Sequence, residues 1–391
     1  MRDFKYSLPT KIILGERSAP VIESELGLLP ARKALVVTGR ASAAKTGALQ
    51  IVTLMLGRLG IDYEILHGCA ANPDVSFVNQ AGRQLQANPV DLLIAVGGGS
   101  VMDATKGIAL LATNHSDDLW LLRKESMRIP APALPVVAIP TTIGTGSECN
   151  GSFALYKAES KDKFVFFNLS VRPVLAWCNP DFVKDLPTSL LIDNYVDILS
   201  HCLEQFFAID DELICTDYMI AGLCRYLIDQ KHRLLEWREN VNFRANTMLA
   251  SSFAMSYLFA QGKTVAWSLH QIADVLSCHL GMPHGTSLAY LLPGWLKYVS
   301  DCKFYRNRAE WLKQQIDPEQ ETDLATVAMT LLNDVGRDFS AEPDDKAFQK
   351  IIEAILANKT FVERARLTEG DLYAIIEFRF HRKRCCRPVD R

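Results

Sequence analysis

The chain of 391 residues has 49% hydrophobic and 22% charged residues and a formal net charge of −3. This balance is that of a soluble globular protein; it excludes fibrous and disordered classes and gives no electrostatic reason to expect a nucleic-acid or anionic-membrane partner. The length suits two domains, each with its own core. The opening "MRDFKYSLPTKIILG" mixes acid, base and proline within ten residues, so it lacks the apolar core of a secretory signal. No apolar run approaches the roughly 18 residues of a membrane span. Ten cysteines lie scattered without a CxxC framework, the adjacent Cys385 and Cys386 aside, which points to reduced thiols and a cytoplasmic location.

In chain order, β-branched runs at 33–39 (KALVVTG), 62–66 (DYEIL), 90–100 (VDLLIAVGGGS), 134–142 (LPVVAIPTT) and 172–179 (RPVLAWCN) alternate with helical patterns. Strands separated by helices pair in parallel through crossovers, so the first part reads as an α/β domain with a parallel sheet. From about Leu186 the texture changes to long amphipathic segments at 190–208, 212–235, 242–261 and 264–280. The join falls in "NPDFVKDLPTS" (179–189), where prolines and acids interrupt the periodicity. The division is therefore 1–185, an α/β domain, and 186–391, a helical domain. The basic tail "HRKRCCRPVDR" reads as a frayed end.

Two loops at strand ends carry ligand chemistry. Gly97, Gly98, Gly99 and Ser100 join an apolar strand to an amphipathic helix, where glycines let a diphosphate approach backbone N–H groups at a helix N-terminus. A plain tight turn is the alternative, and the spacing is not the GxGxxG of the common dinucleotide fingerprint. The loop "PTTIGTGSECNG" (140–151) offers Thr141, Thr142, Thr145 and Ser147 over the carboxyl ends of the sheet. As a surface turn it would be unremarkable.

A third constellation suits a metal. Asp197 and His201, four residues apart, share one helix face, and Glu204 is placed to orient a ligand from behind. For that pair alone an ordinary ion pair is the simpler reading. His270 and His284, fourteen residues apart, would lie roughly 21 Å from each other on one straight helix. Gly281 and Pro283 break the helix between them, so the chain can fold back and bring both imidazoles to one point. One carboxylate and three imidazoles suit Fe2+ or Zn2+ better than Mg2+. His279 differs in phase from His270 and reads as structural or solvent-facing; His67, His115 and His232 have no evident partners.

Taken in order, "FKYSLPTKIILG", "NPDVSFV", "AVGGGSVMDATK", "PTTIGTGSECN", "DILSHCLEQF" and "PHG" resemble the iron-containing (group III) alcohol dehydrogenase family, and the opening and "TGRASAAKTG" are most similar to its butanol dehydrogenase and aldehyde reductase branch. The resemblance implies an α/β nucleotide-binding domain, a helical domain, a cleft holding a nicotinamide cofactor and one divalent metal, small alcohols and aldehydes as substrates, and a homodimer as the assembly. It places the metal ligands on Asp197, His201, His270 and His284. The diphosphate falls on Gly98, Gly99 and Ser100 with Asp103 beyond, and the rest of the cofactor on Asn72, Thr141, Thr142, Thr145, Asn150 and Lys163. NAD-preferring members carry an acid after the strand that corresponds to 33–39; Gly39 stands there, with Arg40, Ser42 and Lys45 able to meet a 2′-phosphate, so NADP(H) is expected over NAD(H).

One departure stands out. Many members carry a further histidine four residues after the third ligand, often assigned to proton relay, and this chain has Asp274 there. Asp274 and His270 are thus the candidate catalytic pair, with Asp274 able to pass protons, bind the metal or hold a polar substrate. Two other function classes are weighed. A dehydroquinate-synthase-type lyase needs several cations near the ligands, whereas 190–210 and 262–290 contain only Lys263. A catalytically silent metal-binding homologue is made conceivable by Asp274.

Overall fold

The computed structural model describes residues 3–114, 116–128, 132–209, 214–316, 322–336 and 345–385. His115 and the tail from Cys386 lie outside them. The chain divides into two compact units: Tyr6–Pro187 together with Trp237–Tyr257, and Thr188–Glu236 together with Leu258–Arg391.

The first unit is built on β1 (Lys11–Leu14), β2 (Lys33–Gly39), β3 (Asp62–Cys69), β4 (Leu92–Gly97), β5 (Val136–Pro140) and β8 (Leu175–Cys178). They pair in the order β1-β8-β5-β4-β2-β3, every pair parallel. β4 and β5 are buried along their whole length, as strands covered on both faces must be. The two-residue side-chain period then sorts the core. Leu35, Val37, Leu93 and Ala95 face one way, against α4 (Val75–Ala87), α5 (Gly99–Ala112) and an antiparallel hairpin of β6 (Ser152–Lys157) and β7 (Asp162–Phe167). Ala34, Val36, Ile94 and Val96 face the other way, against α1 (Ala19–Gly27) and α3 (Ala48–Leu59).

The sheet order fixes where a ligand belongs. From β2 the chain runs outward to β3, crosses back to β4 on the other side of β2, and continues to β5. The direction therefore reverses between β2 and β4, and open α/β sheets bind ligands beyond the carboxyl ends of strands at that reversal. Gly39 ends β2 and Gly97 ends β4, one on each side of it.

β1 and the hairpin are absent from the expected strands: β1 offers only three apolar residues in a row, and β6 and β7 pair antiparallel across a short turn with no crossover helix to mark them. The segment 237–257 behaves differently from the sequence-based division at 185, which leaves it in the helical half. Its helix α8 (Val241–Ala254) packs with the α/β unit. The buried Arg244 guanidinium donates to the carbonyls of Pro180, Trp237 and Arg238 at 2.8, 2.8 and 2.7 Å and lies 3.1 Å from Asp181 Oδ1.

The second unit is helical: α6 (Thr188–Phe206), α7 (Ile214–Gln230), α9 (Ser268–Leu280), α10 (His284–Asp301), α11 (Arg306–Ile316), α12 (Leu324–Asp334), α13 (Asp345–Ala357), α14 (Lys359–Ala365) and α15 (Glu369–Cys385). α6 is buried at nearly every position from Leu191 to Phe206 and α10 packs on α6, α9, α12 and α15, so these two helices form the centre of the unit. Among the described residues no helix is long and apolar enough to cross a membrane.

Candidate active site

The glycine loop and the threonine loop lie side by side at the carboxyl ends of β4 and β5, whose register pairs Gly97 with Pro140. The Thr141 amide donates to the Gly97 carbonyl at 2.9 Å. Glycine is required for the approach: a Cβ on Gly99 would stand 2.6 Å from Thr145 Cγ2, and one on Gly98 would stand 3.1 Å from Thr142 Cγ2. Gly99 opens α5; the Val101 and Met102 amides already donate to the Gly98 carbonyl at 3.0 and 3.1 Å, which leaves Gly99 and Ser100 to present the first amides of the helix start.

A buried polar network supports the two loops. Lys106 is fully buried and donates to Ser147 Oγ, Asn150 Oδ1 and the Ser152 carbonyl at 2.7, 3.1 and 2.8 Å. Burial pushes its ammonium down to about 8, against the pull of Asp103. Asp103 accepts from Ser147 Oγ at 2.8 Å and from the Ala154 amide at 3.0 Å. Asn150 Nδ2 donates to the Gly146 carbonyl at 2.9 Å, while its oxygen also accepts from the Ser152 amide at 3.0 Å. In this structure the polar atoms of Asn150 are thus occupied in holding the loop. α8 holds it from behind: the Gly144 amide donates to Ser251 Oγ at 2.9 Å, and Ser252 Oγ donates to the buried Glu148 at 2.5 Å.

The remaining expected cofactor residues lie around the same sheet edge. Ser42 starts the short helix Ser42–Lys45 that follows β2, with Arg40 and Lys45 exposed. Asn72, with φ +52, sits in the loop after β3, and Lys163 lies on β7 opposite Tyr156. Cys69, at the end of β3, reaches the Ser100 carbonyl at 3.4 Å, and burial pushes its thiol up to about 12.

In the helical unit, Asp197, His201 and Glu204 recur on one face of α6. Asp197 Oδ1 is 3.5 Å from His201 Nε2 and 3.3 Å from His270 Nε2 on α9. One donor atom from each of Asp197, His201 and His270 can be chosen so that all lie within 4.8 Å of one another. The two imidazoles stack, with centroids 4.5 Å apart and planes 21° from parallel. Burial alone would raise the Asp197 carboxyl, but His201, His270 and His284 together hold it well below the usual range. Burial likewise presses the His270 imidazole down, and Glu204 and Asp197 overcome this, raising it to about 10.

Glu204 sets α9 in place. Its Oε1 accepts the Leu269 amide at 2.7 Å, its Oε2 accepts the His270 amide at 3.2 Å, and Oε2 also meets His270 Nδ1. It thereby satisfies the first amides of a helix whose own N-cap residue, Trp267, gives no side-chain cap. Trp267 takes a left-handed backbone, φ +55, uncommon for a bulky residue. That conformation puts its indole edge-on to both His201 and His270, at 6.2 and 5.6 Å.

The fold-back at Gly281 and Pro283 is present. α9 ends on Gly281 with φ +65, α10 begins at His284, and the His270 and His284 centroids are 5.5 Å apart where a straight helix would give roughly 21 Å. Gly285 lets α10 approach α6, since a Cβ there would stand 2.8 Å from Asp193 Cβ and 3.0 Å from its carbonyl. His284 stands at the rim, outside the 4.8 Å group, with Nδ1 3.1 Å from Asp274 Oδ1. His279 is exposed.

Family models match both units: "Iron-containing alcohol dehydrogenase" over residues 9–180 and "Fe-containing alcohol dehydrogenase family, C-terminal" over 191–365. The chain belongs to the iron-containing alcohol dehydrogenase family. It is 30% identical to the NADH-dependent butanol dehydrogenase A of Clostridium acetobutylicum, over 76% of each chain. It is 28% identical to the NADPH-dependent aldehyde reductase YqhD of Escherichia coli, over 78% of each. The crystal structure of NADH-dependent butanol dehydrogenase A from Thermotoga maritima superposes with a TM-score of 0.87 at 26% identity, covering 96% of this chain and 98% of that one.

Membership makes the chain an oxidoreductase of the butanol dehydrogenase and aldehyde reductase branch, and the lyase reading is not favoured. Lys263, the one cation of the segments around the ligands, has a fully buried side chain and is spent on Asp217 at 3.1 Å. Sequence reasoning passed over Lys106, Glu148, Ser251, Ser252 and Trp267. Lys106 stood inside a quoted motif, but a lysine in an apolar helix phase gives no sign that it is buried.

Proposed function

We propose that the chain is a metal-dependent alcohol dehydrogenase working chiefly as an aldehyde reductase, with Asp197, His201, His270 and His284 as ligands of one Fe2+ or Zn2+ and NADP(H) preferred over NAD(H). The convergence of Asp197, His201 and His270 carries the reading. Ligand atoms around a tetrahedral ion with bonds of about 2.1 Å are separated by about 3.4 Å. The 3.5 and 3.3 Å from Asp197 to the two imidazoles fit that size. The donor set also fits the ion, one carboxylate with imidazoles and no thiolate.

A divalent metal held there supplies Lewis-acid polarisation of a substrate oxygen. A nicotinamide supplies or accepts the hydride. The remaining work falls to the protein. Glu204 fixes the ring orientation of His270 and keeps its Nε2 directed at Asp197. Trp267 covers the stacked imidazoles and keeps water from one side of the donor set. Gly98, Gly99 and Ser100 offer backbone amides to a diphosphate. Thr141, Thr142, Thr145, Lys163 and Asn72 are assigned to the cofactor around them, while Asp103 and Asn150, expected there from the sequence, support the loop through Ser147, the Ala154 amide and the Gly146 carbonyl.

The preference for NADP(H) is supported by Gly39 at the end of β2. With no carboxylate there, a 2′-phosphate meets no repulsion, and the exposed Arg40 and Lys45 and the Ser42 hydroxyl offer charge and a hydrogen bond. Relatives of both cofactor types match the chain, so the residues carry this point. The reading extends to a cytoplasmic homodimer acting on small alcohols and aldehydes. The cytoplasmic part is supported by the unbridged thiols from Cys69 to Cys302.

The test is metal analysis of anaerobically purified protein, followed by NADPH and NADH oxidation with a panel of aldehydes. About one Fe or Zn per chain and faster turnover with NADPH are expected. Protein without metal that oxidises neither cofactor with any aldehyde, with or without added Fe2+ or Zn2+, overturns the reading.

A further inference from the structure

Asp274 lies one turn beyond His270 on α9 and projects from the same side of that helix. Its Oδ1 is 3.1 Å from Nδ1 of His284, the first residue of α10. That nitrogen is itself a buried atom without a well-aligned hydrogen bond, so the carboxylate stands beside a group that needs a partner. The two side chains keep 19% and 27% of their surface, which leaves room for the ring to turn a few degrees into line.

The pairing repeats one already seen. His270 has Nδ1 on Glu204 and Nε2 toward Asp197. An imidazole that gives its Nδ1–H to a carboxylate is locked in the tautomer whose Nε2 lone pair is free, and outer partners of this kind orient metal-binding histidines. The His284 backbone is fixed by Gly285 packing on Asp193 of α6, yet its Nδ1 has no hydrogen bond of the kind His270 makes with Glu204. Asp274, on α9, supplies the acceptor for one. Asp274, like His284, lies outside the three residues whose donor atoms stand within 4.8 Å of one another, and the contact its Oδ1 makes is with His284 Nδ1 at 3.1 Å.

We infer that Asp274 is the positioning residue of His284: its carboxylate accepts the Nδ1 proton and presents Nε2 to the metal centre, so that two carboxylate-backed imidazoles, His270 on Glu204 and His284 on Asp274, complete the donor set. This rests on the metal site proposed above. It separates Asp274 from proton carriage, since a carboxylate committed to His284 acts through that ring.

The full-length chain, stripped of metal and titrated with Co2+ against a chelator, tests this through affinity and through the visible Co2+ spectrum. Asp274→Ala is expected to weaken Co2+ binding roughly 10- to 100-fold and to alter the spectrum. Asp274→Asn, which keeps an acceptor oxygen at the same reach, is expected to restore affinity to within a few-fold of wild type together with the wild-type spectrum. In a double-mutant cycle, Asp274→Ala added to His284→Ala is expected to cost nothing further, because Asp274 acts only through that ring. Asp274→Ser repeats the cycle in a second background, and circular dichroism of each metal-free variant reports folding.

Wild-type affinity in both Asp274→Ala and Asp274→Ser overturns the inference, and so does an Asp274→Ala loss that adds fully to that of His284→Ala. An unchanged Co2+ affinity with lost aldehyde turnover assigns Asp274 to the proton path and likewise overturns it. Failure of the underlying site looks different: wild type then shows no specific Co2+ binding, or Asp197→Ala binds Co2+ as tightly as wild type.

Discussion

Replacing Gly99 by alanine sets two opposed effects against each other. Gly99 opens α5, where alanine is the better helix former by up to about 1 kcal/mol. Against this, a Cβ there would stand 2.6 Å from Thr145 Cγ2, 3.0 Å from its Oγ1 and 3.2 Å from its Cβ. Carbon pairs rest at about 3.5–4.0 Å, so roughly 1 Å of overlap must be relieved. Thr145 cannot easily retreat, because Ser251 holds the Gly144 amide and Asn150 holds the Gly146 carbonyl on either side of it. Overpacking of this kind costs about 1–3 kcal/mol, so with the full helix gain subtracted the steric effect wins by up to about 2 kcal/mol, with about 1 kcal/mol as the central value. Because the displaced loop borders the amides of the α5 start, NADPH affinity is expected to fall about tenfold or more, equivalent to about 1.4 kcal/mol. Thr145→Ser removes the closest atom, and the double variant is expected to recover about 1 kcal/mol as a coupling energy. Denaturant midpoints and NADPH fluorescence titrations of the four proteins measure both quantities. A Gly99→Ala protein with the wild-type midpoint and unchanged NADPH affinity, or a pair of substitutions that merely add, would refute the reasoning.

The other predictions concern both units. Glu204→Gln keeps the shape but weakens the acceptor for His270 Nδ1 and for the first amides of α9, so metal affinity is expected to drop about 10- to 100-fold in chelator competition. Gly285→Ala drives a Cβ into Asp193, and a loss of about 1–3 kcal/mol with reduced metal content is expected in thermal melts and metal analysis; Gly57→Ala in α3, where nothing lies within 4 Å, should instead gain up to about 1 kcal/mol. Lys106 is a base whose folded-state value, about 8, lies below the ordinary lysine value of 10.5, so the unfolded chain binds more protons between these values and stability rises with pH across that window. The gain is at most about 3 kcal/mol, and it should be absent from Lys106→Met when the two are compared by denaturation at pH 7 and pH 10. Gly39→Asp places a carboxylate at the end of β2, and the ratio of NADPH to NADH affinity, read by titration, is expected to fall at least about tenfold.

What the sequence could disclose follows from which features are local. The five apolar runs and the helical segments carry their own periodicity, so the parallel sheet and the helices of the second unit are legible from residue order. Asp197 and His201 share a helix face by spacing, and Gly281 with Pro283 announces the fold-back that carries His284 to within 5.5 Å of His270. The hairpin β6–β7 has no helix between its strands and so falls outside the strand–helix alternation, and the edge strand β1 offers only three apolar residues in a row, Ile12 to Leu14. α8 is amphipathic like its sequence neighbours, and only its contacts, Arg244 on the Pro180 carbonyl and Ser251 on the Gly144 amide, show which unit it joins.

Asp274 shows the same limit at the site itself. Four residues after His270 it can only be read as lying on the same helix face as a ligand, which leaves a proton carrier, a ligand and a substrate anchor equally open. The answer depends on where the next helix begins. Because Gly281 and Pro283 turn the chain there and Gly285 seats α10 against Asp193, His284 Nδ1 arrives 3.1 Å from the carboxylate. A side chain's role at such a centre is set by which atom of a neighbouring ligand it meets, and that meeting is decided by backbone packing ten residues further along the chain.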